Sequence, residues 1–218
     1  MGVVMDGRCP PHAVLGVLLM KYEPEHIALQ VYAEAADFFG QLSPRYGYKI
    51  LYGPPHHQAP ILFIGYQPGG STPEEGDKCW SPVCEYASEP WKLAVKMREM
   101  LGREFLKQCC GLNGIFVRAP DTATYKREYR DSRPKIERFC LECVGRLVDA
   151  IDPQKIVLIG LATLDLFGGG RMLLSNSDDR ILLKEGRVAN RPAIATMHLS
   201  GAQISTQDFN AIGAELRK

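Results

Sequence analysis

Nowhere does this 218-residue sequence stay apolar for long enough to cross a membrane. The run at 13–20 is short, follows an arginine and two prolines, and lacks a small-residue cleavage pattern. It is read as something other than a signal peptide, with the cytoplasm as the default compartment. An excess of one charge is missing too. Against 26 Lys and Arg stand 25 Asp and Glu, a net charge of +1, so only a local cluster can mark a polyanion partner. The Gly69-Gly70 pair is not followed by Lys-Ser/Thr, which excludes a nucleotide-binding P-loop. No Gly-x-Ser-x-Gly elbow is present, which excludes the standard α/β-hydrolase arrangement. Repeats and low-complexity tracts are absent.

The cysteines also exclude more than they supply. There are seven, an odd number, in a chain large enough to build a core without staples, so they are read as reduced thiols. Cys140-x-x-Cys143 has a metal or redox spacing, but both fall on the apolar face of a helical pattern, where a thiol packs as a small hydrophobe. Cys79 and Cys84 lie nearer the candidate site, yet no second close pair completes a zinc or iron–sulfur set. No metal and no cofactor is called for.

With 45% hydrophobic and 23% charged residues, the chain reads as one globular domain over 1–218, with 1–60 as an N-terminal helical extension packed on it. Pro24 suits a first helical turn, and Ile27, Val31, Ala35 and Phe38-Phe39 follow at helical spacing. Strands are expected at 61–64, 114–117, 155–160 and 193–197. Helices are expected after Pro90, from Pro134 to Ile151, in a short piece ending at 168–170, and after Ser205, which with Asp208 forms a capping box. Residues 181–183 and 187–188, with a turn at Glu185-Gly186, read as a small hairpin or ragged loop. Strands without a wet face, alternating with helices, imply an α/β fold: three layers, α/β/α, around a central, mostly parallel four-stranded sheet. Loops 65–70, 118–121 and 198–203 then leave one edge, where sites in such folds lie.

Two residues in those loops carry chemistry on their own. In Gly65-Tyr66-Gln67-Pro68-Gly69-Gly70, Gln67 puts an amide where a turn needs none, suited to holding water or a polar substrate edge. His198 ends the last strand and can donate to a developing anion without being charged; the competing reading is a strand-end histidine satisfied by backbone. His56-His57 read as loop residues, and His12 and His26 carry no signal. Lys126, Arg127, Arg130, Arg133, Lys135 and Arg138 form the local basic cluster, otherwise a solvated helix approach.

Together these segments resemble the uracil-DNA glycosylase superfamily. The resemblance lies in Gly65-Tyr66-Gln67-Pro68-Gly69, in Asn113-Gly114-Ile115-Phe116-Val117-Arg118-Ala119-Pro120, in Arg133-Pro134-Lys135-Ile136-Glu137-Arg138-Phe139-Cys140, in the run from Asp152-Pro153 to Ala162, and in His198-Leu199-Ser200-Gly201. It covers about 60–205 and is nearest the amide-bearing mismatch-specific and single-strand-selective branches. It departs from the family in Gln67, where Asp or Asn is usual, in Leu199, where proline follows the histidine, and in lacking the four cysteines of the iron–sulfur branches.

The resemblance implies a monofunctional glycosylase that releases uracil from DNA and starts base excision repair, acting as a monomer without cofactor. Gln67 would orient water and His198 would donate to uracil O2. Asn113 would read O4 and N3–H. Trp80 is the implied stacking platform, with Tyr66 or Phe116 as alternatives. Pro68 and Gly69 would complete the pocket. Ser71, Ser200 and the Gly69 and Gly70 amides would grip phosphates beside Arg118, and Leu199 or Gln203 would serve as a wedge. Two other readings stay open: a glycosylase-like protein that binds DNA or damaged bases without efficient turnover, and a hydrolase of nucleosides or small glycosides.

Overall fold

A computed structural model describes residues 23–74, 76–200 and 204–218. Pro24 opens α1 (Pro24–Leu42), whose buried stripe of Ala28, Val31, Tyr32, Ala35 and Phe39 repeats every three or four residues. Ser43, at a φ of 45°, turns the chain out of the helix. Along the chain follow β1 (Leu62–Gly65), α2 (Glu85–Ser88), α3 (Lys92–Leu101), α4 (Arg103–Leu106), β2 (Cys110–Asn113), α5 (Thr122–Glu128), α6 (Arg133–Ile151) and β3 (Ile156–Ile159). A 3-10 helix over Leu161–Phe167, β4 (Gly170–Ser175), β5 (Ile181–Val188), β6 (Arg191–Thr196) and α7 (Thr206–Arg217) complete it.

The sheet is six-stranded and mixed, in the order β2-β1-β3-β6-β5-β4, which corrects the expected four strands. β2, β1, β3 and β6 are parallel neighbours, and β5 and β4 extend the sheet antiparallel beyond β6. The expected turn at Glu185-Gly186 lies inside β5, which runs unbroken. The chain instead reverses at Ala189 and Asn190, both at positive φ as a tight hairpin turn requires. β4 begins at Gly170, where a helix end is expected from sequence, and it is mostly exposed at the sheet edge.

The second strand is displaced as well. β2 is Cys110–Asn113, not 114–117, because register with β1 pairs Leu62 with Cys110 and Gly65 with Asn113. Residues 114–117 then latch onto β1's outgoing loop, with Gly114 N–H donating to Gly65 O at 2.7 Å and Ile115 N–H to Tyr66 O at 2.8 Å. Residues 48 and 51 bridge to Val117 and Leu112, so part of the N-terminal region covers the free edge of β2.

Alternation along the strands feeds two cores. Leu62 and Ile64 face α1 and α6, while Phe63 faces α3 and α7. α1 and α6 meet through Phe38 and Phe139, stacked 4.1 Å apart, and through the exposed Arg146–Glu34 pair. Cys140 and Cys143 are buried in the α6 core as expected, and burial pushes both thiols up, Cys143 to about 12. Five described cysteines are free. Cys79 is disulfide-bonded, which corrects the reading of all seven as thiols. The neighbouring residues of that loop are anchored to the N-terminal region. The Asp77 carboxylate accepts from Ile50 N–H at 3.2 Å and Tyr32 O–H at 3.4 Å, and Gly76 lies against the Tyr48 ring, where a Cβ would come within 2.0 Å. No described helix is long and apolar enough to cross a membrane.

Candidate active site

Parallel pairing sets Gly65, Asn113 and Ile159 at matching ends of β1, β2 and β3, with His198 just past β6. Between them opens a cavity of about 440 Å³ walled by Tyr66, Gln67, Gly69, Asn113, His198 and Ser200. Three segments distant in sequence therefore meet in one pocket. The first loop is fastened to the stretch after β2 by the Gly114 and Ile115 bonds and by Ala119 N–H donating to Pro68 O at 3.2 Å. Pro68 is thus a buried structural part of the loop and not a lining residue.

Gln67 Nε2 donates to Ala119 O at 3.4 Å, which turns Oε1 the other way. That oxygen is buried and has no hydrogen-bond partner. A buried acceptor left unpaired is costly, which marks Gln67 as a residue set up for a donor.

Asn113 is 1% exposed. Its Nδ2 donates to Lys49 O at 3.2 Å, and its Oδ1 accepts from Tyr52 O–H at 3.3 Å. The Lys49 carbonyl can only accept, so the flipped amide is excluded. Gly65 makes room for it: a Cβ there would stand 3.0 Å from Oδ1.

His198 stands at the cavity mouth with its inner side against Gly160, and desolvation lowers its pKa from the ordinary value, favouring the neutral ring. Ser200 Oγ lies 3.0 Å from His198 Nδ1. When that hydroxyl donates, the ring proton sits on Nε2 and can be given to a ligand. Ser200 therefore stands on the cavity wall in contact with the histidine.

Several implied positions are not brought together. Trp80 packs against Tyr32 with ring centroids 5.9 Å apart, and Phe116 is fully buried edge-on to Phe139 at 6.4 Å; neither lines the cavity. The aromatic wall comes instead from Tyr52, Tyr86 and Trp91, with ring centroids 5.4 to 5.6 Å apart. Sequence reading passed over these three, although Tyr52 precedes Gly53-Pro54-Pro55 and Trp91 follows Pro90, the punctuation that marks a loop displaying a side chain. Leu199 is 6% exposed within the core that Phe63 faces, so it is no wedge. Gln203 lies outside the described residues. Ser71 is exposed and off the cavity wall.

Arg118 is turned under the first loop, its guanidinium reaching Gly69 O at 3.5 Å and Glu74 at 3.0 Å. Gly70, at a φ of 150°, passes over it in a conformation side chains rarely adopt. The basic cluster spreads around α5 and α6: Lys126 lies 5.9 Å over the Tyr66 ring, whereas Lys135 covers Phe38 and Arg133 pairs with Glu137. Asp121 is the single carboxylate among the residues lining the cavity, and it caps α5 by accepting from Thr124 N–H at 2.7 Å. Among the described residues no group of three or more His, Cys, Asp or Glu is placed to hold a metal ion.

No family model matches this chain, and no curated protein does.

Proposed function

We propose that the protein is a DNA glycosylase that hydrolyses the N-glycosidic bond of deoxyuridine in DNA and releases uracil, the first step of base excision repair. The observation that carries this reading is the fixed amide of Asn113, sharing one cavity with a neutral His198 and the unpaired Gln67 Oε1. A base small enough for such a pocket enters only when turned out of the stack.

In this reading Asn113 Oδ1 accepts from uracil N3–H and Nδ2 donates to O4. Cytosine offers the reverse pattern and is refused. His198 Nε2–H donates to O2, where negative charge grows as the N1–C1′ bond breaks and its electron pair passes to the base. Gln67 Oε1 accepts from a water whose oxygen forms the new bond to C1′. An amide is not a general base, so Gln67 contributes placement; the water adds to C1′ once the sugar carries positive charge and gives its proton to solvent, and the expelled uracil anion takes up a proton in turn. The base stacks on the Tyr52 and Trp91 wall.

One observation favours a second reading, a protein of this shape that binds DNA or damaged bases with little turnover. The first loop has no carboxylate, and Asp121 is committed to its cap. A time course on an oligonucleotide holding one uracil, single- and double-stranded, followed by alkali, separates them. Strand breakage supports the glycosylase. Retained binding without breakage at high enzyme concentration supports the binding protein, and turnover of free deoxyuridine would point to a nucleoside hydrolase.

A further inference from the structure

We propose that Tyr52 is a specificity-determining positioning residue: through Asn113 it fixes which base edge the cavity accepts. The inference rests on the glycosylase reading above. An amide side chain has two N–H donors and two acceptor lone pairs. Lys49 O takes one donor at 3.2 Å, and Tyr52 O–H takes one lone pair at 3.3 Å. One donor and one acceptor remain for the cavity. Lys49 decides which amide atom lies on which side, and Tyr52 stops the plane from swinging about the Cβ–Cγ bond. With both anchors the amide has a single setting, donor to O4 and acceptor from N3–H.

Tyr52 is itself held from every side. Its N–H donates to Gly111 O at 2.8 Å and its carbonyl accepts from Glu85 N–H at 2.7 Å. Its ring packs on Tyr86 and Trp91, and Lys49 Nζ lies 5.2 Å over the ring centroid while pairing with Glu85 at 2.8 Å. Burial pushes the phenol up to about 12, so it remains an O–H donor at neutral pH. Residue 52 thus ties the reading amide to an aromatic wall and an ion pair, to both of which the segment after residue 80 contributes.

The test is Tyr52→Phe, which keeps the ring contacts and removes only the hydroxyl. Single-turnover excision is measured on oligonucleotides holding one uracil or one unpaired cytosine. Where cytosine excision is below detection, inhibition by free uracil replaces it. The preference for uracil, or the inhibition by uracil, should weaken on the order of threefold to tenfold, the range one neutral hydrogen bond supplies. Binding of uracil-free DNA should not change, which a general structural defect would not spare. Uracil excision by the unmodified protein with an unchanged preference in Tyr52→Phe overturns this inference alone. Absence of uracil excision by the unmodified protein overturns the glycosylase reading and the inference with it.

Discussion

Replacing Asn113 with Asp exchanges one buried NH₂ for an oxygen and leaves the shape of the side chain intact. Nδ2 now donates to Lys49 O at 3.2 Å, in surroundings that leave the residue 1% exposed. An ionised Asp would set oxygen against oxygen there, so the buried carboxyl should titrate above the usual carboxylate range. Protonated, it can still donate to Lys49 O. Ionised, it loses that bond and leaves the carbonyl unsatisfied, a cost of about 1–3 kcal/mol. For a domain of this size that is a loss of roughly 2–12 °C in melting temperature. The sign follows from linkage: a carboxyl whose folded pKa is raised supports folding at low pH and loses that support as pH rises through the folded value. The difference between variant and unmodified protein should therefore be small at about pH 3.5, below the ordinary Asp pKa of about 3.9, and reach its full size by about pH 7 in thermal melts. In excision assays the variant should also act more on cytosine, because its oxygen accepts from the exocyclic amine. Equal melting differences at both pH values would refute the anchoring of Asn113 by Lys49.

Three further outcomes are expected. His198→Ala should slow single-turnover uracil excision by about 10²–10³ while binding changes little, the size of effect seen when one preorganised donor is removed; an unchanged rate removes His198 from catalysis. The His198 ring, lowered by burial, should titrate below 6.5 in an NMR pH series. Its contribution to stability should be complete above that pH and decline as pH falls from 6.5 towards the folded value; a midpoint at or above 6.5 contradicts the desolvation argument. Gly65→Ala places a methyl 3.0 Å from Oδ1 of the Asn113 amide, which one hydrogen bond at the oxygen and one at the nitrogen hold in place. It should lower stability by about 1–3 kcal/mol in chemical denaturation and impair excision together; wild-type values for both would show that the amide is free to move.

The strands most legible in the sequence are β1, β3 and β6, because buried apolar runs bounded by Gly, Pro or polar residues leave little choice. β2 is less so. Cys110-Gly111-Leu112-Asn113 has weak strand preference, and the more strand-prone Ile115-Phe116-Val117 lies just beyond it. Pairing with β1 decided between them, since only that register carries Asn113 to the edge beside Gly65. β4 begins with the last of three glycines and stays mostly exposed, so no alternation marks it. Trp80 shows the limit most plainly. It has the composition of a stacking platform and the right distance along the chain from Gln67, yet it packs on Tyr32, away from the cavity.

Apart from Asn113, which only the resemblance marked, the sequence by itself determined the α/β class, the edge at which the loops gather, and Gln67 and His198 as residues with chemistry to offer. Those follow from local properties: apolar runs, glycine and proline punctuation, and side chains whose donors and acceptors suit a polar ligand. Only the tertiary structure decided that the three share one cavity, that Tyr52 and Lys49 hold the amide, that Tyr52, Tyr86 and Trp91 wall the pocket, and that Leu199 and Arg118 are turned inward. The physical reason is that a hydrogen bond or a packed ring is set by neighbours 19 to 64 positions apart in the chain, as with Tyr32 and Leu51 or Lys49 and Asn113. Sheet register, which no local pattern encodes, brings such neighbours together.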